Sequence, residues 1–340
     1  MICRLEELFA EDRDLLERAS VADECPTLRE CSPPALGKVA RDQGLDFATA
    51  LLYDRVLRFP EHLALFQQVN ARSLSVLADP PLVGIIPGAF YLEHQNTGAD
   101  GAQLATILKS INCRVERVPV ESFGSLAKNA AIIADWLSQR REQRVALISL
   151  SKGGADMKIA LGLPNAAELF RNVETWVSVS GLPLGTPLVA WLRRQALRRL
   201  GVRLLLRLRG QRYSVVEELR QEPDEPLATW PALPPHLRVI HVVCFPLRRH
   251  LVHPWAARAY ERVAPFGPND GGGFLLSDVV NLRGTVFPVW GADHYLQPAW
   301  DVVTLLRRVF IEALSPAAEV RQANQSAAQP SSPPASRSNA

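Results

Sequence analysis

Short apolar runs alternate with segments of helical periodicity from residue 82 onward, and this alternation most constrains the fold. The runs are 82–86, 113–120, 145–150, 174–180, 237–245 and 283–290, and helical spacing lies between them at 100–111, 125–141 and 153–162. Strands that are buried on both faces of a parallel sheet are apolar throughout, and helices connect them. We therefore predict an α/β fold built on a doubly wound, mostly parallel sheet.

The rest of the chain is organised around this α/β domain, which we expect over residues 46–315. Residues 1–45 hold a Pro-rich segment and predict an N-terminal extension whose order the sequence leaves open. Apolar residues at helical spacing over 47–70, interrupted by Pro60, predict two helices. A helical cap insertion is predicted at about 185–232, and the Ser-, Pro- and Gln-rich residues 316–340 predict a disordered tail.

Net charge and cysteine pattern argue against several classes of protein. A formal net charge of +3 does not indicate a nucleic-acid-binding protein. The five cysteines lack the close pairs of zinc sites and disulfide frameworks, so neither a metal nor a cofactor is predicted. The N-terminus lacks the apolar core of a secretory signal, and no apolar run reaches the roughly 18 residues of a membrane span. We therefore expect a cytoplasmic protein.

Ser151 lies directly after the apolar run 145–150, and Lys152, two glycines and a helical segment follow it. This is the layout of a nucleophile elbow, a sharp strand-to-helix turn that exposes a serine at the carboxyl edge of a sheet. The motif is Ser-Leu-Ser-Lys-Gly, in which Ser149 replaces the usual glycine. The alternative is an ordinary turn in which Ser151 caps the helix.

A catalytic serine needs a general base and a carboxylate that orients this base. The GPNDGGG loop at 267–273 offers Asp270 as the acid, and the GADHY segment at 291–295 offers His294 as the base. An Asp in such a loop is commonly just a turn former, and a loop His is commonly structural. The three residues nevertheless follow one another in the order Ser, Asp, His that a hydrolase of this architecture requires.

Other candidates for the acid and the base are weaker. Asp278 is a possible alternative acid, whereas Asp293 is disfavoured because neighbouring side chains do not easily face each other. We expect structural roles for the remaining histidines, which are His62, His94, His236, His241, His250 and His253.

An oxyanion hole requires backbone N–H donors near the nucleophile. The amide of Lys152 is the first candidate because it follows Ser151. The second is expected in the loop after the first strand, where Gly88 lets the chain turn and Ala89 or Phe90 follows. The alternative is a strand-to-loop turn without a catalytic role.

Four segments resemble the α/β-hydrolase superfamily and, within it, its lipase and esterase branch: IIPGAF, SLSKGGADMK, SVSGLPLGTPL, and GPNDGGG together with GADHY. The resemblance spans about residues 80–312. Ser149 and the three glycines at 271–273 depart from the patterns common in lipases, which bears on the substrate class. The resemblance implies a metal-free serine hydrolase that cleaves a small-molecule or lipid ester through an acyl-enzyme. An acyl thioesterase, an acyltransferase and a non-catalytic lipid-binding protein of the same fold stay open.

The predicted cap insertion contains a basic, amphipathic segment at 187–212, with eight arginines and no acidic residue. Leucines interleave with the arginines at helical spacing and predict an amphipathic helical pair. One interpretation is a cap that contacts an anionic membrane or an acidic substrate. The other is a cap helix that packs its leucines on the domain and leaves its arginines in solvent.

Overall fold

The computed structural model describes residues 12–94, 97–223, 225–297 and 302–315. Within them, one parallel sheet has the strand order β2-β1-β3-β4-β5-β6. The strands are β1 Leu82–Ile86, β2 Val115–Arg117, β3 Val145–Leu150, β4 Val173–Val179, β5 Arg238–Phe245 and β6 Thr285–Trp290. The α/β prediction is confirmed, and every paired strand is parallel. The strand predicted over 113–120 is too long, because β2 lies at the edge and pairs only with β1.

Helices cover both faces of this sheet. They are α1 Arg13–Ser20, α2 Pro33–Gln43, α3 Leu45–Arg58, α4 Pro60–Ala71, α5 Ala102–Ser110, α6 Leu126–Ser138, α7 Lys152–Leu161, α8 Ala166–Leu169, α9 Leu188–Arg193, α10 Ala196–Leu208, α11 Ser214–Glu217, α12 Pro254–Val263 and α13 Val302–Leu314. Side chains alternate along each strand, so Val83 and Ile85 pack with α4, α5 and α13, while Leu82 and Ile86 pack with α6 and α7 on the other face.

The segment before the first strand packs against the sheet. Helices α1, α2 and α3 bury their apolar side chains in one cluster with residues of β5 and β6. The Asp12 carboxylate is fully buried, accepts a hydrogen bond from Trp290 Nε1 at 2.8 Å, and lies 2.8 Å from His250 Nε2. The two helices predicted over 47–70 are α3 and α4, and Pro60 is the first residue of α4, where its missing N–H costs no hydrogen bond. Residues 1–11 of the predicted extension and the predicted tail 316–340 lie outside the described residues.

The segments that carry the candidate functional residues follow the carboxyl ends of parallel strands. Ser151 follows β3, the loop with Asp270 follows β5 and α12, and His294 follows β6. The segment between β4 and β5 holds α9, α10 and α11, which include the helical pair predicted over 187–212. None of the helices in the described ranges has the length and the apolar character needed to span a bilayer.

Candidate active site

Ser151 lies in a tight, strained turn between β3 and α7. Its φ of 47° and ψ of −121° are a conformation that residues with a side chain rarely adopt. Strand β3 fixes the turn on its N-terminal side. On the other side, the carbonyl of Ser151 accepts hydrogen bonds from the N–H groups of Gly154 and Leu182, both at 2.9 Å. Such strain persists only where the surrounding structure fixes the backbone, and here it turns a serine out of the sheet edge.

The two glycines after Ser151 are required by close packing. A Cβ on Gly153 would lie 2.7 Å from the carbonyl oxygens of both Ile86 and Pro87 at the end of β1. A Cβ on Gly154 would lie 3.1 Å from the Cα of Gly181 in the turn after β4. The small residues of the motif therefore let α7 begin between two neighbouring strand ends.

The structure brings Ser151, His294 and Asp270 together, although 143 and 24 positions separate the two contacting pairs along the chain. His294 Nε2 lies 3.0 Å from Ser151 Oγ. His294 Nδ1 lies 2.6 Å from Asp270 Oδ2. Hydroxyl, imidazole and carboxylate thus form one continuous line of hydrogen-bonding groups.

Asp270 is held by its own loop. Its second carboxylate oxygen, Oδ1, accepts hydrogen bonds from the backbone N–H groups of Gly272, Gly273 and Phe274 at 2.8, 3.1 and 3.0 Å. Its backbone carbonyl accepts a further hydrogen bond from the N–H of His294 at 2.8 Å. The glycines that depart from the lipase pattern therefore form a turn around the carboxylate and orient it towards the imidazole.

Burial and the neighbouring carboxylates act in opposite directions on His294. Burial alone lowers the pKa of its imidazole, because the charged form loses solvation. The Asp270 carboxylate, by charge and by its hydrogen bond, and also the charge of Asp293, raise this pKa, and the net shift is upward from 6.5. The site therefore stabilises a protonated imidazole, which a general base must become during proton transfer.

The two alternative acids do not occupy the position of Asp270. Asp278 accepts a hydrogen bond from Gln221 Nε2 at 2.6 Å, and burial raises its pKa to about 6. Asp293 closes the loop that carries His294, because its Oδ1 accepts from the N–H groups of Tyr295 and Gln297 at 2.9 and 3.0 Å. Burial raises the pKa of Asp293 to about 6 as well.

The loop after β1, in which we expect the second oxyanion donor, lies against the Ser151 turn. A Cβ on Gly88 would lie 3.2 Å from the Cβ of Ser151. The N–H of Phe90 donates to the Ser122 carbonyl at 2.9 Å, so Phe90 does not offer the free donor that we expected. The N–H groups of Ala89 and Lys152 donate to no acceptor among the described residues. Of the two loop candidates, Ala89 therefore retains an available donor.

Comparison with solved structures identifies the architecture. A metagenomic carboxyl esterase superposes with a TM-score of 0.50 at 16% sequence identity, over 91% of this chain and 95% of the esterase chain. The chain has the α/β-hydrolase fold. The mature form of a lipase from Bacillus licheniformis gives a TM-score of 0.48 at 18% identity, over 71% of this chain and 94% of the lipase. No family model and no curated protein matches the sequence.

Ser149 shows how this chain accommodates a side chain where the elbow motif usually has glycine. Ser149 is fully buried, and its Oγ accepts a hydrogen bond from Trp176 Nε1 at 2.9 Å. Trp176 lies on β4, next to β3 in the sheet, and is also fully buried. The hydroxyl thus satisfies the only polar group of a large core side chain.

A buried polar network next to Ser151 was not predicted. Lys152 Nζ and Asp156 Oδ1 lie 2.6 Å apart, and both side chains are 2% exposed. Asn129 on α6 donates to the other carboxylate oxygen of Asp156 at 2.9 Å. Lys152 and Asp156 are four residues apart on α7, and this spacing favours an ion pair. The burial of the pair depends on the packing of α6 against α7, which sequence periodicity does not reveal.

The other histidines have local partners or aromatic neighbours. His241 inside β5 is buried, its Nε2 lies 2.9 Å from the carbonyl of Arg283, and burial lowers its pKa to about 4. His62 and His236 contact backbone carbonyls, His250 and His253 accept from backbone N–H groups, and His94 contacts Phe90 and Trp255. Among the described residues, no group of three or more His, Cys, Asp or Glu side chains could hold a metal ion.

Proposed function

We propose that this protein is a serine hydrolase that cleaves carboxylic esters through an acyl-enzyme. The observation that carries the proposal is the pair of contacts of His294, 3.0 Å to Ser151 Oγ and 2.6 Å to Asp270 Oδ2. These distances suit proton transfer from the serine to the imidazole and orientation of the imidazole by the carboxylate.

In the first half of the reaction, Ser151 Oγ bonds to the ester carbonyl carbon while His294 Nε2 takes the hydroxyl proton. The carbonyl oxygen becomes an oxyanion, for which the free N–H groups of Lys152 and Ala89 are the donors we assign. The carbonyl forms again when the bond between the carbonyl carbon and the alkoxide oxygen breaks. The imidazolium gives its proton to the alkoxide oxygen, and the alcohol departs.

In the second half, water replaces the alcohol. His294 takes a proton from the water as its oxygen bonds to the acyl carbon, and the tetrahedral adduct collapses with release of the acid and return of the proton to Ser151 Oγ. Asp270 orients the imidazole through its Oδ2 in both halves, while three backbone N–H donors hold its Oδ1.

A fluorophosphonate probe tests the nucleophile. We expect covalent labelling of the wild-type chain at Ser151, located by peptide mass spectrometry, and no labelling of Ser151→Ala. Ser149→Ala is the matched control, because its hydroxyl is engaged with Trp176 and it should be labelled like the wild type. A folded wild-type chain that is not labelled would leave a non-catalytic protein of this fold. Equal labelling of Ser151→Ala would place the reactive nucleophile at another residue and remove the assignment of Ser151.

The leaving group is tested separately. One solved structure of the same fold is a carboxyl esterase, so esters are the first substrates to measure. A panel of p-nitrophenyl esters and acyl-coenzyme A thioesters should give the higher kcat/KM for the esters. A preference for the thioesters would keep the acyl-enzyme and change the substrate class to that of an acyl thioesterase.

A further inference from the structure

Helix α10 exposes a row of leucines on its outer face. Leu197, Leu200, Leu204 and Leu208 are 86, 64, 57 and 77% exposed, and their spacing places them along one side of the helix. The opposite side holds the helix in place, because Leu206 is 3% exposed and packs with Phe123. A row of large apolar side chains on the outer side of an attached helix indicates a binding surface.

Arginines flank this row and lack acidic partners. Arg198, Arg203 and Arg207 lie on α10, and none of them forms an ion pair within the described ranges. The whole segment 187–212 contains eight arginines and no Asp or Glu. The positive charge of this surface is therefore available to an external anion.

A second group of arginines extends the positive surface onto α12. The guanidinium groups of Arg198 and Arg262 lie 5.2 and 4.7 Å from the centroid of the same Trp191 ring. Burial and then the positive charges of Arg198 and Arg258 lower the pKa of Arg262. Like charges held around one ring repel each other, and an anion bound between them would relieve the repulsion.

We propose that α10 and the arginines around Trp191 form a docking surface for an anionic lipid bilayer. The leucine row would enter the boundary between headgroups and acyl chains, and the arginines would bind lipid phosphates, which guanidinium groups do well. The opposite side of α10 packs on Phe123, whose ring stacks on Phe90 at 4.3 Å, so docking would hold the loop after β1 close to the bilayer.

Charge and apolar character together favour a bilayer over other partners. In a symmetric contact between two copies, the leucine rows would meet only by bringing arginines of both copies together without acids to balance them. A nucleic acid would satisfy the arginines but leave the leucines in water. This inference goes beyond the proposed function and does not depend on it, because docking does not use Ser151.

Cosedimentation of the full-length protein with lipid vesicles tests the proposal. The vesicles contain phosphatidylcholine alone or phosphatidylcholine mixed with phosphatidylglycerol. We expect binding to the mixed vesicles, weakening as salt is raised, and little binding to phosphatidylcholine alone. The Ser151→Ala variant should bind like the wild type, which separates this result from a failure of the hydrolase assignment.

Two double variants divide the surface into its charged and apolar parts. Arg203→Gln with Arg207→Gln should weaken binding about 30-fold, from about 1 kcal/mol per arginine near an anionic surface. Leu204→Ser with Leu208→Ser should weaken it at least about tenfold through lost apolar burial. Val76→Ser and Arg29→Gln, exposed positions elsewhere on the chain, are the matched controls and should bind like the wild type.

Equal binding to both kinds of vesicle, or binding that both double variants retain, would overturn the proposal. The proposal would also be overturned if the wild type failed to bind vesicles but formed concentration-dependent dimers that the double variant Leu204→Ser with Leu208→Ser did not form. That result would assign the leucine row to a second copy of the chain. Binding to a nucleic acid duplex instead of anionic vesicles would also overturn it.

Discussion

Asp270 uses its two carboxylate oxygens for different purposes: Oδ2 lies 2.6 Å from His294 Nδ1, while Oδ1 accepts three backbone N–H groups. The first contact fixes which imidazole nitrogen carries the proton, so that Nε2 faces Ser151 as an acceptor. The second fixes the carboxylate through backbone groups of its own loop. Asp270 therefore couples the geometry of its loop to the tautomer of His294.

Asp270→Asn should lower kcat/KM by about 10⁴-fold, the order observed when a triad carboxylate is replaced by an amide. The oxygen of the introduced amide can still accept from the loop, but its NH₂ group then faces Nδ1 and favours the wrong tautomer. Asp278→Asn is the matched control, because Asp278 contacts Gln221 and should leave kcat/KM within about threefold of the wild type. Steady-state ester hydrolysis measures both, and equal losses in the two variants would refute the assignment of the acid.

The pH profile should report the raised pKa of His294. A general base must be neutral, so kcat/KM should be low in acid and rise as pH passes through this pKa, with a midpoint above 6.5. In Asp270→Asn the carboxylate that raises the pKa is gone and burial remains, so the midpoint should move to lower pH. Titration of the His294 imidazole by NMR measures it directly, and a midpoint that moves upward would contradict this account.

The strands and the order of the candidate residues could be predicted because they depend on local patterns. The runs 82–86 and 145–150 correspond to β1 and β3 residue for residue, since strands buried on both faces are apolar at nearly every position. The loss of Phe90 as an oxyanion donor could not be predicted. Its N–H donates to the backbone carbonyl of Ser122, which lies 32 positions away along the chain. The same holds for the burial of the Lys152 and Asp156 pair, which contacts between separate helices determine.

Gly272→Ala should lower the rate of ester hydrolysis by about 10²-fold, because it displaces His294. The backbone of Gly272 is not in the left-handed region, so an alanine is not strained there, but its Cβ would lie 1.9 Å from His294 Cγ. The imidazole must move, and a displacement of about 1 Å can cost about 10²-fold in rate. Gly201→Ala on α10 is the control, because nothing lies within 4 Å of its Cβ. Ester hydrolysis and thermal unfolding together show whether the loss is catalytic, and retention of full activity by Gly272→Ala would argue against the role of His294.

Ser149→Ala should lower stability without changing the chemistry. It leaves the buried Nε1–H of Trp176 without an acceptor, which costs about 1–3 kcal/mol of unfolding free energy. Trp176→Phe removes the donor, so the Ser149→Ala substitution should cost less in that background. Urea unfolding of the wild type, the two single variants and the double variant measures the coupling energy between the two side chains. The same cost of Ser149→Ala in both backgrounds would mean that the hydrogen bond contributes nothing to stability.

The buried pair beside the nucleophile should be expendable as a pair but not singly. Burial raises the pKa of Asp156 against the opposing effects of Lys152 and Asn129, which shows how costly the charges are at this position. Asp156→Leu alone leaves the Lys152 ammonium buried without its partner and should cost about 3–5 kcal/mol. Lys152→Met with Asp156→Leu removes both charges and should recover most of that loss.

The double variant also tests the role of the Lys152 side chain in the reaction. Because only the backbone amide of Lys152 is assigned to the oxyanion, this variant should keep ester hydrolysis within about tenfold of the wild type, far above the level of Asp270→Asn. Loss of hydrolysis in a double variant that unfolds at the wild-type urea concentration would instead show that the Lys152 side chain takes part in the reaction.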